Sequence, residues 1–315
     1  MSGETDATAY LSPYGPSRVR RPIRLTLTDH SYPLEPSLEQ SWLPIAFRAF
    51  ARIAARARVA DVLIIGTGNG LDALGAAEIL DPRSLTVTDL GRESLEVARA
   101  NILAHLGAPI ALSFHAGDLL SEVPGDRRFD LVYENLPNIP ARRDPERKLD
   151  RGTISGRFFD ASGLDVPSPY GEYLLALHHR LLTEARGRVR GGGGVLTALG
   201  GRVPDEVVFG LHRDCGYDPQ LVAFDVKVQV EPRLVLPGYA REEERGGLRF
   251  RYYAAEAVAL VAEGRRAGLD GQELLDAVAA ELHPLAITAR EAEARSRRGE
   301  EVAHSVLMIL GRRPA

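Results

Sequence analysis

Gly66-Thr67-Gly68-Asn69-Gly70 and Asp89 are the residues whose types and spacing most clearly suit ligand binding. Alternate glycines let the main chain take positive φ and bring its amides close to a bound group. They follow the apolar run Val62-Leu63-Ile64-Ile65 and lead into a helical pattern from Leu71 to Leu80. Asp89 comes nineteen residues after Gly70, at the end of a second predicted strand, Leu85 to Thr88. A carboxylate at that strand end can accept hydrogen bonds from both hydroxyls of a ribose. The chemistry expected is nucleoside binding at the edge of a doubly wound sheet. A dinucleotide site would read G-x-G-x-x-G, with the helix N-terminus facing a pyrophosphate; here the spacing is G-x-G-x-G.

Two later segments continue the series. Ala116-Gly117-Asp118-Leu119-Leu120 follows a third apolar run, Ile110 to Phe114. Phe129-Asp130-Leu131-Val132-Tyr133-Glu134 reads as a fourth strand, ending in Asn135-Leu136-Pro137-Asn138. Alone, Asn-Leu-Pro would be a strand-terminating turn. After three other elements in order, it reads as part of a site.

The four motifs together resemble the class I S-adenosylmethionine-dependent methyltransferases. The resemblance implies an α/β fold with a doubly wound, mostly parallel seven-stranded sheet, and S-adenosylmethionine as cofactor with S-adenosylhomocysteine as product. It implies cofactor contacts from Gly66, Thr67, Gly68, Asn69, Gly70, Asp89, Leu90, Asp118, Leu119 and Asn135. Asp118 would lie near the adenine amino group. The N-L-P-N turn is similar to the N-P-P-Y of amino- and amide-methylating enzymes, which would put Asn135 and Pro137 at the transferred methyl. The aromatic of N-P-P-Y is missing here.

The elements that must hold these residues can be read along the chain. Five prolines within residues 1–36 exclude a long helix there. A helix is expected from Ser37 to Ala57, with Trp42, Ile45, Ala46, Ala49 and Ile53 at helical spacing. Strand and helix then alternate, which implies a parallel sheet covered on both faces. Pro140 to Pro169 is polar and aperiodic, a long loop expected over the carboxyl ends of the strands. A helix from Ser168 to Arg186 should follow, then a flexible turn at Gly191 to Gly194 and a fifth strand, Val195 to Leu199. Asp205 to Cys215 reads as a helix and Leu221 to Val230 as the sixth strand. The seventh is Ser305 to Leu310. The expected division is an N-terminal arm and helix (1–57), a cofactor-binding core (58–230), a helical insertion acting as lid or subdomain (231–303) and the final core strand (304–315).

Composition bounds the class. The chain has 315 residues, a net charge of −4 and one cysteine, Cys215. A cysteine-rich zinc site and a disulfide framework are excluded, and no metal is expected. No apolar run approaches the roughly 20 residues of a membrane helix, and the acidic, polar start is unlike a secretory signal. A cytoplasmic enzyme is expected. The mixed charge argues against broad nucleic-acid binding. Arg18-Val19-Arg20-Arg21-Pro22-Ile23-Arg24 is expected to lie as an arm across the protein's own acidic surface.

Leu199-Gly200-Gly201-Arg202, Arg249-Phe250-Arg251-Tyr252-Tyr253, Ile287-Thr288-Ala289-Arg290 and His304-Ser305 occur in one order. In these the chain looks like the methyltransferase part of methionine S-methyltransferases, plant enzymes with shorter bacterial relatives. That resemblance implies a small-molecule substrate, methionine converted to S-methylmethionine. A thioether needs no base, whereas an amide nitrogen needs its NH2 held by acceptors. Arg290 is the first choice for the substrate carboxylate and Arg157 the second, because a guanidinium binds it bidentately. Glu134 suits an ammonium group, and Tyr133, Tyr170 and Tyr252, with Phe159 and Tyr253, offer cation-attracting ring faces. The alternatives are a glutamine N5-methyltransferase acting on a protein such as a release factor, a natural-product N- or O-methyltransferase, and a non-catalytic S-adenosylmethionine sensor. A homo-oligomer is allowed by the sequence.

Overall fold

The sequence alternates short buried runs with amphipathic segments, and the computed structural model realises them in that order. It describes residues 3–15, 17–29, 34–35, 37–138 and 166–314. The elements are β1 (Gly3–Asp6), α1 (Thr8–Leu11), β2 (Arg24–Leu27), α2 (Leu43–Ala54), β3 (Asp61–Ile65), α3 (Leu71–Leu80), β4 (Ser84–Asp89), α4 (Arg92–His105), β5 (Ala111–Ala116) and β6 (Phe129–Glu134). They continue as α5 (Ala176–Ala185), β7 (Val189–Gly200), α6 (Asp205–Asp214), β8 (Asp218–Val228), α7 (Pro232–Gly246), β9 (Tyr252–Ala254), α8 (Glu256–Arg266), α9 (Gly271–Leu282), β10 (Ala286–Ile287), α10 (Ala289–Arg297) and β11 (Val302–Arg312).

The large sheet is ordered β10-β9-β11-β7-β6-β3-β4-β5, with β8 also on β11. Pairings β3–β4, β3–β6, β4–β5 and β6–β7 are parallel. Gly192 and Gly193 bond to Arg313 while Gly201 bonds to Ser305, so β11 runs antiparallel to β7.

Contacts divide the chain into two compact units. The first comprises Met1–Asn135, Glu184–Ala198 and Leu310–Ala315; the second comprises Leu136–Thr183 and Leu199–Ile309. In the first unit β3 is buried along its whole length, as a central parallel strand must be. Helix α3 is buried almost all round, and the side chain of Phe47 from α2 fills the space beside Gly75. Phe50 of α2 packs edge-on against Tyr133 of β6, with centroids 5.0 Å apart. In the second unit α8 and α9 pack on β8, and α7 pairs with α10.

Four expectations about elements need correction. The helix expected from Ser37 starts only at Leu43, because the Pro44 ring blocks continuation of the helix upstream. The helix expected from Ser168 starts at Ala176: Leu174 takes φ +65°, which no α-helix can contain. The glycine run expected to be a turn lies inside β7. There the approach of neighbouring main chain leaves no room for a Cβ, at 2.6 Å from Asp130 O at Gly193 and 2.8 Å from Gly311 O at Gly194. The segment 231–303, expected to be helical, also contributes two short antiparallel strands, β9 and β10.

Candidate active site

Strands β3 and β6 are parallel neighbours with Ile65 opposite Glu134. Gly66 and Asn135 are therefore the first residues to leave adjacent strands at the same level, at the carboxyl end where open α/β sheets bind ligands. The amides of Gly66 and Thr67 both donate to Thr88 O, at 3.0 and 3.2 Å, which pulls the turn across the end of β4. Gly66, Gly68 and Gly70 all have positive φ. At Gly70, with φ +89°, a Cβ would stand 3.0 Å from Ala98 O, so both conformation and space require glycine.

Asp89 is locked against this turn. Gly68 N–H donates to its Oδ2 at 2.9 Å and Gly91 N–H to its Oδ1 at 3.2 Å. Each carboxylate oxygen keeps further acceptor capacity on a fixed plane, the geometry a vicinal diol needs. Burial raises the Asp89 carboxyl above its ordinary value, opposed by the amide bonds. Beside it Leu90 is 47% exposed, an apolar side chain on the rim. Gly117 N–H bonds to Asp89 O at 2.9 Å, fixing the 116–119 loop next to the same strand end. Within that loop Leu119 has φ +51° and is buried, while Asp118 remains partly accessible.

The N-terminus of α3 is occupied by the protein's own side chains. Asn69 Oδ1 accepts from Leu71 N–H at 3.0 Å, and Asp72 Oδ1 accepts from Ala73 N–H at 2.7 Å and from Thr67 Oγ1 at 2.6 Å. Amides that could cradle a phosphate are thus taken by the protein's own side chains. The Asp89 carboxyl group flanks the turn, where its charged form opposes an added anion. A phosphate-free, cationic cofactor suits it; a pyrophosphate does not. Sequence reasoning missed Asp72, although a carboxylate inside the apolar run Leu71 to Leu80 was a visible signal.

Asn135, the last residue of the first unit, is exposed. In the second unit, Asn138 closes the N-L-P-N turn with its carboxamide held between His178 Nε2, at 3.1 Å, and Tyr239 OH, at 3.4 Å. Pro137 is partly accessible. Tyr239 packs edge-on against Phe250 and Tyr252, and the Arg202 guanidinium lies over the rings of Tyr239 and Tyr252 at 5.3 and 5.7 Å. None of His178, Tyr239 and Arg202 was singled out as a ligand contact from sequence.

The residues expected to meet substrate are placed as follows. Tyr133 is fully buried with its ring against Phe50, a core role, and the neighbouring Glu134 is also buried. Tyr170 OH donates to Asp214 and its ring stacks on His179, so it joins α5 to α6. Tyr252 is fully buried, with the chain's own Arg202 over its ring. The Arg290 side chain is 65% exposed and pairs with Glu244 at 3.5 Å. Its motif is a helix start, in which Thr288 Oγ1 caps α10 by accepting from Glu291 N–H. Arg157 and Phe159 lie outside the described residues.

No family model matches the chain. The release factor glutamine methyltransferase of Deinococcus radiodurans is 32% identical over 178 residues, 55% of this chain and 56% of that protein. The ribosomal protein uL3 glutamine methyltransferase of Bradyrhizobium diazoefficiens is 28% identical over 149 residues, 44% of this chain and 40% of that protein. The chain thus spans about half the length of the curated relatives it matches. Among solved structures, the N-methyltransferase NodS from Bradyrhizobium japonicum, in complex with S-adenosylhomocysteine, aligns with a TM-score of 0.39 at 13% identity. That alignment covers 64% of this chain and 84% of that one. The strand order and parallel pairings are those of a Rossmann-like, mostly parallel α/β sheet. The glutamine methyltransferases among its relatives stand where the motif resemblance had implied methionine S-methyltransferases. Among the described residues no helix is long and apolar enough to cross a membrane.

Proposed function

We propose that this chain transfers a methyl group from S-adenosylmethionine to the side-chain amide nitrogen of a glutamine in a protein substrate. The observation that carries it is the register of β3 and β6, which places Asn135 level with the glycine turn. The glutamine methyltransferases among its relatives favour the same acceptor.

In this reading the glycine turn holds the amino-acid end of the cofactor, Asp89 accepts from the two ribose hydroxyls, Leu90 covers a face of the adenine and Asp118 accepts from its amino group. The cofactor supplies an electrophilic methyl on a sulfonium. An amide nitrogen is a poor nucleophile because its lone pair is delocalised into the carbonyl. The Asn135 side-chain oxygen and a neighbouring main-chain carbonyl would accept its two hydrogens and turn the nitrogen toward the methyl. Pro137 stiffens the turn that presents them. As the nitrogen–carbon bond forms the carbon–sulfur bond breaks, and the amide nitrogen sheds one proton to water. Little beyond alignment is required of the protein, and alignment can supply a large share of the rate.

Removing Asp89 tests the cofactor half. Asp89→Ala should weaken S-adenosylmethionine binding by about 1.5–3 kcal/mol, the scale of a lost charge-assisted hydrogen bond, or roughly tenfold or more in Kd. Calorimetry giving an unchanged Kd in a folded variant would remove Asp89 from the site. The acceptor is tested with methyl-labelled cofactor and two candidates, a glutamine-bearing release-factor fragment and free methionine. N5-methylglutamine in the digested fragment is expected by mass spectrometry. Turnover of methionine with an unlabelled fragment would reverse the assignment.

A further inference from the structure

Helix α4 presents Ser94, Ala98 and Asn101 on one face, four and three residues apart. That face meets three successive residues of the glycine turn. Ser94 Oγ donates to Gly68 O at 3.2 Å, Asn101 Nδ2 donates to Asn69 O at 2.9 Å, and the Ala98 main chain abuts Gly70. The Asn101 side chain is buried, at 3% exposure. Its remaining capacity is spent on β2 as another strand would spend it. Oδ1 accepts from Thr26 N–H at 2.9 Å and Nδ2 donates to Thr26 O at 3.0 Å.

Strand β2 is itself fixed. His105, one turn further along α4, bonds the Arg24 main chain, with Nε2 2.8 Å from its carbonyl oxygen. Upstream, the buried Glu78 carboxylate of α3 accepts from the consecutive amides of Ser17, Arg18 and Val19 at 2.7–2.8 Å. The basic stretch of the N-terminal arm is therefore anchored to the two helices that flank the turn. With both ends of its carboxamide paired to Thr26, Asn101 has one hydrogen left, and it points at Asn69 O. That bond holds the peptide between two glycines, where φ and ψ are otherwise soft.

We infer that Asn101 is a positioning residue for the cofactor turn, and that the N-terminal arm, through Thr26, sets its orientation. The inference rests on residues 66–70 being the cofactor turn. Binding of S-adenosylhomocysteine should weaken at least fivefold in Asn101→Ala. It should weaken similarly in Asn101→Asp, which keeps an acceptor for Thr26 N–H but has no donor for Asn69 O. Far-ultraviolet circular dichroism should stay that of the wild type. A purely structural role would lower the melting temperature without moving the Kd measured well below it.

Hydrogen exchange on the unaltered protein gives a test that needs no variant. S-adenosylhomocysteine should slow exchange of the Thr26 amide, because ordering the turn tightens the bond that Thr26 makes to Asn101. A folded Asn101→Ala that binds within twofold of wild type, or exchange across residues 24–27 that is indifferent to the compound, would overturn the link. Wild-type protein that binds no S-adenosylhomocysteine would instead sink the cofactor reading itself, and this inference with it.

Discussion

Asn135→Ala should lower the rate of methyl transfer by about 10²–10³-fold, roughly 3–4 kcal/mol, the cost of removing one donor or acceptor preorganised for a transition state. The effect should fall on turnover, because the variant leaves the glycine turn, Asp89 and their hydrogen bonds intact. S-adenosylhomocysteine affinity should move by no more than a few-fold. The residue is exposed at a strand end, so truncation leaves no cavity and stability should stay within about 0.5 kcal/mol. Single-turnover measurement with saturating cofactor separates these quantities. A variant that keeps a third or more of the wild-type rate would mean that Asn135 does not hold the nucleophile.

Replacing Asp72 with Asn should change how stability depends on pH. Burial, with the charge of Asp89 adding, pushes the Asp72 carboxyl up to about 7, against about 3.9 for an unfolded aspartate. Between about pH 4 and pH 7 the folded protein holds a proton that the unfolded chain has lost. The Asp72 contribution therefore falls as pH rises through that window and levels off above about 7. The loss over the whole window is on the order of 4 kcal/mol. Asp72→Asn keeps an oxygen for Thr67 and Ala73 and has no charge to bury, so its stability should lack this decline. Urea unfolding from pH 5 to pH 8 should show the variant gaining on the wild type as pH rises. Parallel curves would show that Asp72 ionises well below this range in the folded protein.

How legible these features were follows from which interactions create them. The turn at 66–70 and the carboxylate at 89 could be read because local rules dictate both: a fully buried parallel strand needs an uninterrupted apolar run, and the following turn needs glycine. The chain around Gly191–Gly194 could not be read that way. Glycine carries no pattern, and this segment becomes strand only because β6 and β11 supply main-chain partners on its two sides. Arg290 was chosen from its type, which suits a carboxylate, while its placement at a helix start capped by Thr288 was not legible. Its exposure and its partner Glu244 depend on how α7 meets α10, which no local pattern encodes. Asn101 was not legible in the sequence, because its two partners lie 32 and 75 residues away.

The chain passes between the two compact units after Asn135, Thr183, Ala198 and Ile309. Each unit is therefore assembled from separate stretches of sequence, and no single cut yields either one whole. A gene fragment ending at Asn135 would lack the β7 strand that pairs with β6, and one starting at Leu136 would carry that strand without its neighbour β6. Neither unit could be exchanged with another protein as a cassette. Recombination would have to keep all four crossings, whereas a substitution within the turn that begins at Asn135, the proposed acceptor site, disturbs none of them.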